Sequence, residues 1–334
     1  MELFFTDDHA SDLPASSAVD GATSERVLSA VAATHPGLVA AGARVERMGG
    51  PGIGSQSFRV GDHFVKILPR GPDDDHVRSI AQVTAALATA GIPVERPIPD
   101  RDGRPFGEVH DGHAYLYVQR YVSGGFFDGT REQLEALLPA LYGIGPALRG
   151  INPTGAQLSV YRDWDPRAVL LKVSAILEQR ISEGTADAFD ALVREHLPLH
   201  ERIVGSLDPA ALRSTTLHHF DLHPHNVLFR SGRPAAILDL AGIRAVRDEI
   251  AIGFAFYKLG RKGVSLGRMS PAEVRALASR RSDPGALARA ARIEVARRAT
   301  VVLRLHYLEG TREWDRDVRK HLVGPREIDA LFSA

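Results

Sequence analysis

The chain has 334 residues, 44% of them hydrophobic, with 41 Lys and Arg balanced by 41 Asp and Glu and no cysteine. That length suffices for about two lobes with their own cores, and the composition excludes disorder and collagen-like repeats. Without cysteine there is no disulfide framework, thiolate nucleophile or zinc ribbon, and zero net charge argues against a nucleic-acid partner, which draws a basic excess. Only five of the basic residues are lysines, namely Lys66, Lys172, Lys258, Lys262 and Lys320. A lysine kept inside a strand therefore asks for a reason.

Residues 1–20 mix Asp, Ser, Pro and Ala without period and form a lead-in, followed by a short helix over 24–34. Acids follow Met1 where a secretory signal carries bases. The apolar window 299–308 is broken by Arg304 and His306, well short of the ~20 residues of a membrane span. The expectation is a cytoplasmic protein with no membrane partner. Three strands follow over 43–48, 57–60 and 63–68, joined by a glycine-rich turn at 49–54 and a tight Gly61-Asp62 hairpin. The acids at 73–75 cap a helix whose apolar positions Val77, Ile80, Thr84 and Leu87 keep helical spacing until Gly91. Two further strands surround turns at 101–103 and 111–112, the second running over 114–122.

Beyond the glycines at 124 and 125 the pattern changes to helices over 130–149, 166–183, 186–204, 271–280, 284–308 and 316–322. The only strand-like pieces there are 227–230 and 235–238, around a Ser231-Gly232 turn. The predicted class is α+β, with a lead-in at 1–42, a sheet-rich lobe at 43–122 and a helical lobe at 123–334.

The densest chemistry lies at 217–240, where Asp221 is followed five residues later by Asn226 and, after a strand and turn, by Asp239. Phosphoryl transfer asks for these groups. One carboxylate takes or orients the proton of an attacking hydroxyl, while an amide oxygen and a second carboxylate hold Mg2+ against the phosphates of ATP. A hairpin over 227–238 returns Asn226 and Asp239 to neighbouring ends. The competing reading is a transition-metal site built on His218, His219, His223 and His225.

The segment resembles the aminoglycoside phosphotransferase and choline kinase family, which has a protein-kinase-like two-lobe fold. Its catalytic loop, His-x-Asp-x-x-x-x-Asn, is matched by His219, Asp221 and Asn226, and its metal-binding strand end by Leu238, Asp239 and Leu240. The resemblance covers about 43–310 and is sharp only at these motifs. It implies that Asp221 is the catalytic base, that Asn226 and Asp239 bind Mg2+, and that His219 has a structural hydrogen-bonding role. His225 departs from the glycine usual before the asparagine, which bears on the loop's backbone.

Lys66 lies in the apolar strand Phe64-Val65-Lys66-Ile67-Leu68, 12 residues after the glycine-rich turn. A lysine there must find an anion, and the family uses it for the ATP phosphates; the alternative is an edge-strand lysine facing solvent. The turn, with Gly52, Gly54 and Ser55, is expected to fold over phosphates through its N–H groups. The backbone of Gln119 to Val122 occupies the place where the family meets adenine, with Phe58, Val65 and Val118 as apolar walls. No acid stands between His76 and Ala90 to fix Lys66, as kinase-like folds usually provide, so either Gln82 or Asp239 must do so. Asp248 is expected to cap a helix under the catalytic loop. Tyr257, Tyr307, Glu309, Glu313, Trp314, Asp315 and Asp317 fall where the family binds its acceptor.

The implied activity is transfer of the ATP γ-phosphate to a hydroxyl of a small molecule, aminoglycoside-like or another amino or hydroxy metabolite. The alternative is a nucleotide-binding scaffold of the same fold with impaired catalysis, motivated by the absent helix glutamate. Protein-kinase activity ranks below both, because nothing between Leu240 and Gly253 resembles an activation segment.

Overall fold

The computed structural model describes residues 16–40, 42–48, 56–69, 75–109, 114–312 and 314–333. Alternating apolar residues between tight turns build an antiparallel sheet first. Its strands are β1 (Ser16–Ala18), β2 (Val45–Met48), β3 (Gln56–Val60), β4 (His63–Pro69), β5 (Gly107–Val109) and β6 (Ala114–Arg120), in the spatial order β1-β2-β3-β4-β6-β5. Strand β1, within the expected lead-in, pairs Ser16 with Met48; it carries no apolar alternation by which to be read.

The two faces of this sheet receive different helices. Helix α1 (Gly21–Thr34) starts at Asp20, whose carboxylate accepts from Thr23 N–H at 2.8 Å. It lays Val27 and Val31 on Phe58, Val60, Val65, Leu116 and Val118. Helix α2 (Asp75–Thr89) packs Ile80, Val83 and Leu87 in a different core that includes Tyr117. Neighbours along a strand point to opposite faces, so Lys66 and its cross-strand partners Ser57 and Tyr117 face away from α1.

The remaining chain supplies helices α3 (Arg131–Ala147), α4 (Pro166–Ser182), α5 (Ala188–Gly205), α6 (Asp248–Ser265), α7 (Pro271–Ala278), α8 (Pro284–Leu308) and α9 (Asp315–Phe332). Between them lie two small sheets, β10-β9-β7 and β11-β8. Their strands are β7 (Gly125–Phe126), β8 (Leu217–His219), β9 (Val227–Arg230), β10 (Arg233–Ile237) and β11 (Ile243–Ala245). Among the described residues no helix is long and apolar enough to cross a membrane.

Two helices differ from expectation. Beyond its start at Asp248, α6 has no one-sided stripe to read, because residues 250–257 and 259–263 are all buried. Helix α9 continues through Gly324 and Pro325 to Phe332, beyond the expected end at 322. Gly324 is accommodated because a Cβ there would stand 2.6 Å from Val295 Cγ1 of α8.

The same closeness governs α6 against α8, where a Cβ on Gly253 would meet the Leu287 carbonyl oxygen at 2.5 Å and Ala291 N at 3.2 Å. Both are backbone atoms, which yield less easily than a side-chain end. Gly253→Ala is expected to destabilise the protein by about 1 kcal/mol net, since overpacking of about 1–3 kcal/mol exceeds the ~1 kcal/mol helix-propensity gain. Chemical denaturation measures this, and a variant as stable as the parent would show that the two helices separate freely.

Candidate functional site

The loop after β8 is fixed by its own backbone and by one imidazole. Strand β11 pairs with β8 through Ile243 and His219, and Phe220 N–H donates to the Gly242 carbonyl at 3.1 Å. His219 is fully buried. Its Nδ1 accepts from Asp221 N–H at 3.3 Å and its Nε2 donates to the Leu238 carbonyl at 2.9 Å. One ring thus ties the Asp221 loop to the residue before Asp239. Burial pushes this imidazole below its usual range, so it stays neutral and keeps both bonds.

Asn226 ends a single helical turn, Pro224–Asn226, and its Nδ2 donates to the Asp221 carbonyl at 2.8 Å. The β9–β10 hairpin turns through Ser231 and Gly232, at φ 50° and 74°, and returns Leu238 N–H to the Asn226 carbonyl at 2.8 Å. Asn226 and Asp239 therefore stand at neighbouring strand ends, as their spacing suggested. Asp239 adopts left-handed backbone, φ 53° and ψ 52°, which Asp and Asn tolerate better than most residues. His225 needs no such conformation, since Ser231 and Asp239 are the only non-glycine residues at positive φ among those described. Its ring packs edge-on against Phe126 at 5.2 Å between centroids.

Lys66 crosses from the large sheet to this hairpin, with Nζ 3.3 Å from Asp239 Oδ1. The choice left open by the sequence falls to Asp239, because Gln82 lies exposed on α2. Gln119 sits inside β6, registered with Phe64 and bridged to Pro97, while Val122 lies beyond the strand end. Phe58, Val65 and Val118 do not wall this side of the sheet. They are fully buried against α1, as their alternation with Ser57, Lys66 and Gln119 requires. Gly52, Gly54 and Ser55 lie outside the described residues.

Asp221 has a partner that sequence reasoning missed. Arg298 of α8 donates from Nη2 to Asp221 Oδ1 at 2.9 Å. Burial by itself would raise the Asp221 carboxyl, but the Arg298 guanidinium, followed by His223 and Lys258, more than offsets it and holds the group well below the usual carboxylate range. The available signal was Glu294 and Arg298 at i and i+4 of a long apolar helix, a pair that ordinarily reads as a solvated face.

The histidines do not converge as ligands. His218 Nδ1 lies 3.4 Å from the His219 carbonyl, and His223 Nδ1 accepts from His225 N–H at 3.2 Å. Among the described residues no three His, Asp or Glu side chains group as a metal site.

The acids and aromatics expected near an acceptor are largely engaged in holding helices. Tyr257 is buried and donates to Glu327 at 2.5 Å, and Tyr307 donates to Asp190 at 2.7 Å. Glu309 pairs with Arg304 at 3.1 Å and Asp315 with His306 at 2.7 Å. Trp314 is exposed, and Glu313 and the Asp317 side chain lie outside the described set. Asp248 is the first residue within α6, with Arg247 in the capping position.

The fold has counterparts among solved structures. An aminoglycoside phosphotransferase from Alicyclobacillus acidocaldarius superposes with a TM-score of 0.55 at 16% identity, covering 86% of this chain and 90% of that one. A spectinomycin phosphotransferase in complex with ADP and spectinomycin gives 0.58 at 13% identity, covering 92% and 97%. A microcompartment-associated aminopropanol kinase gives 0.55 at 17% identity, covering 90% and 94%. No curated protein sequence matches the chain. The fold is thus the protein-kinase-like α+β fold, with an antiparallel-sheet lobe and a helical lobe. The family description "Phosphotransferase enzyme family" matches residues 50–245, a segment that includes Lys66, Asp221, Asn226 and Asp239, and the chain therefore belongs to that family.

Proposed function

We propose that the protein transfers the γ-phosphate of ATP to a hydroxyl of a small-molecule acceptor. The observation that carries this reading is the meeting of Lys66 and Asp239, 173 residues apart and 3.3 Å from each other, beside the hairpin end that holds Asn226 and Asp221. Structural neighbours complexed with ADP, GDP or AMP-PNP support nucleotide use.

Asp239 and Asn226 would hold Mg2+. A carboxylate and a carboxamide oxygen are the hard donors that ion prefers, and the Asn226 Nδ2 bond to Asp221 leaves Oδ1 as the atom for it. When bound, Mg2+ neutralises phosphate charge. Lys66 binds the phosphates, and Gly52, Gly54 and Ser55 are assigned to the same groups. The backbone from Gln119 to Val122 meets the base. Asp221 accepts the acceptor's proton as its oxygen attacks the γ-phosphorus. The bond from phosphorus to the bridging oxygen breaks, and ADP departs with that electron pair. Positioning and electrostatics supply most of the acceleration.

The test is nucleotide consumption over a panel of amino sugars, amino alcohols and hydroxy amino acids, paired with a thermal-shift titration of Mg-ATP. Stabilisation by Mg-ATP together with acceptor-dependent ADP release is expected. Stabilisation without transfer to any acceptor would favour the scaffold alternative, and no response to nucleotide would remove both readings.

A further inference from the structure

Helix α8 lies outside the family-matched segment 50–245, yet its Arg298 donates a hydrogen bond directly to the Asp221 carboxylate. Arg298 holds two carboxylates at once. Its Nη2 donates to Asp221 Oδ1 at 2.9 Å, and its Nε donates to Glu294 Oε1 at 2.6 Å. The guanidinium carbon lies 4.4 Å from the Phe254 ring centroid and 5.6 Å from that of Phe220. These contacts fix the plane of the fork on its faces as well as its edges.

The far anchor is rigid. Glu294 has no exposed side-chain surface. It also accepts from Arg297 Nε and Nη2, both at 2.9 Å, and from the buried Tyr161 hydroxyl at 2.8 Å. An exposed ion pair with two mobile arms orients little; here one arm is locked by a buried network. The rotation that carboxylates ordinarily retain is restricted at Asp221. Oδ1 is occupied by Arg298, while Oδ2 lies 4.0 Å from His223 Nε2.

We propose that Arg298, anchored by Glu294, is a positioning residue that holds Asp221 Oδ1 and so presents Oδ2 to the acceptor hydroxyl. The proposal rests on the reading of Asp221 given above. It differs from a charge effect, which any cation supplies, and from a brace for α8, which affects folding and not turnover. A lysine retains the charge but cannot bridge two carboxylates through a planar fork.

The experiment uses the full chain with Mg-ATP and water as acceptor, following phosphate release in the parent protein, Asp221→Asn, Arg298→Gln and Arg298→Lys. Crystal structures of the parent and both Arg298 variants accompany the kinetics. Misplacement of a reacting group by about 1 Å lowers rates by about 10²-fold. Both Arg298 variants are therefore expected to lose kcat on that order while KM for Mg-ATP stays within about twofold, the nucleotide contacts being untouched. The Asp221 carboxylate is expected to hold one orientation in the parent and to turn or spread in both variants. Full kcat in Arg298→Lys, or an unmoved Asp221 carboxylate in either variant, overturns the proposal. So does failure of both variants to fold, which assigns Arg298 to bracing. A parent that neither binds nor hydrolyses Mg-ATP removes the phosphotransferase reading instead; the Asp221 orientation still decides the positioning claim.

Discussion

Asp221→Asn is expected to lower kcat by about 10² to 10⁴-fold, the usual range for loss of a general base, with Mg-ATP binding retained. The substitution preserves shape, and an amide oxygen can still accept from Arg298 Nη2, which stands 2.9 Å from Oδ1 in the parent. What disappears is a group able to receive a proton. The loop should persist, because the bonds that shape it run through the Asp221 backbone to His219 and Asn226. The measurement is steady-state kinetics with an acceptor found in the panel, or phosphate release to water, beside a nucleotide titration. Turnover within threefold of the parent would remove Asp221 from the chemistry.

Asp239→Asn is expected to abolish most of the Mg-ATP response while leaving the ligand-free protein nearly as stable as before. At a ligand concentration of 100 Kd the parent should gain about 2.7 kcal/mol from Mg-ATP, and the variant should gain little, with kcat reduced by about 10²-fold or more. The contrast with ligand-free stability follows from exposure. The Lys66 and Asp239 side chains are 20% and 44% exposed, and a pair so open to water contributes about 0–1 kcal/mol. Asparagine also accepts the left-handed backbone at this position, φ 53°. Thermal melts with and without Mg-ATP separate the two effects. Unchanged nucleotide stabilisation in Asp239→Asn would remove this residue from the proposed metal site.

The lysine shortage in the composition bears on the same contact. With arginine used almost throughout, Lys66 in an apolar strand was legible as a residue with a purpose, and its anionic partner is Asp239. The spacing of Asp221, Asn226 and Asp239 was equally legible, because a hairpin of known length returns its ends to one another, as Leu238 N–H to Asn226 O at 2.8 Å shows. Strand alternation was also present in the sequence. Followed strictly, it places Phe58, Val65 and Val118 on the face away from Lys66, where the structure has them.

The sequence by itself therefore determined what is local: the hairpins, the amphipathic helices such as α8 with its bounds at 284 and 308, and the chemical identity of the candidate site. Periodicity records which side of an element is buried, and the residue types record which chemistry is available. Tertiary structure decided what has no periodic or adjacent signature. A helix buried on all sides, as α6 is, carries no stripe, and α9 runs on past 322 through Gly324 and Pro325, with Gly324 close against Val295 of α8. Arg298 reaches Asp221 across 77 residues and Lys66 reaches Asp239 across 173. No spacing rule encodes such pairs; they exist because the packing of α6 and α8 and the docking of the sheet bring charges together that the chain keeps far apart.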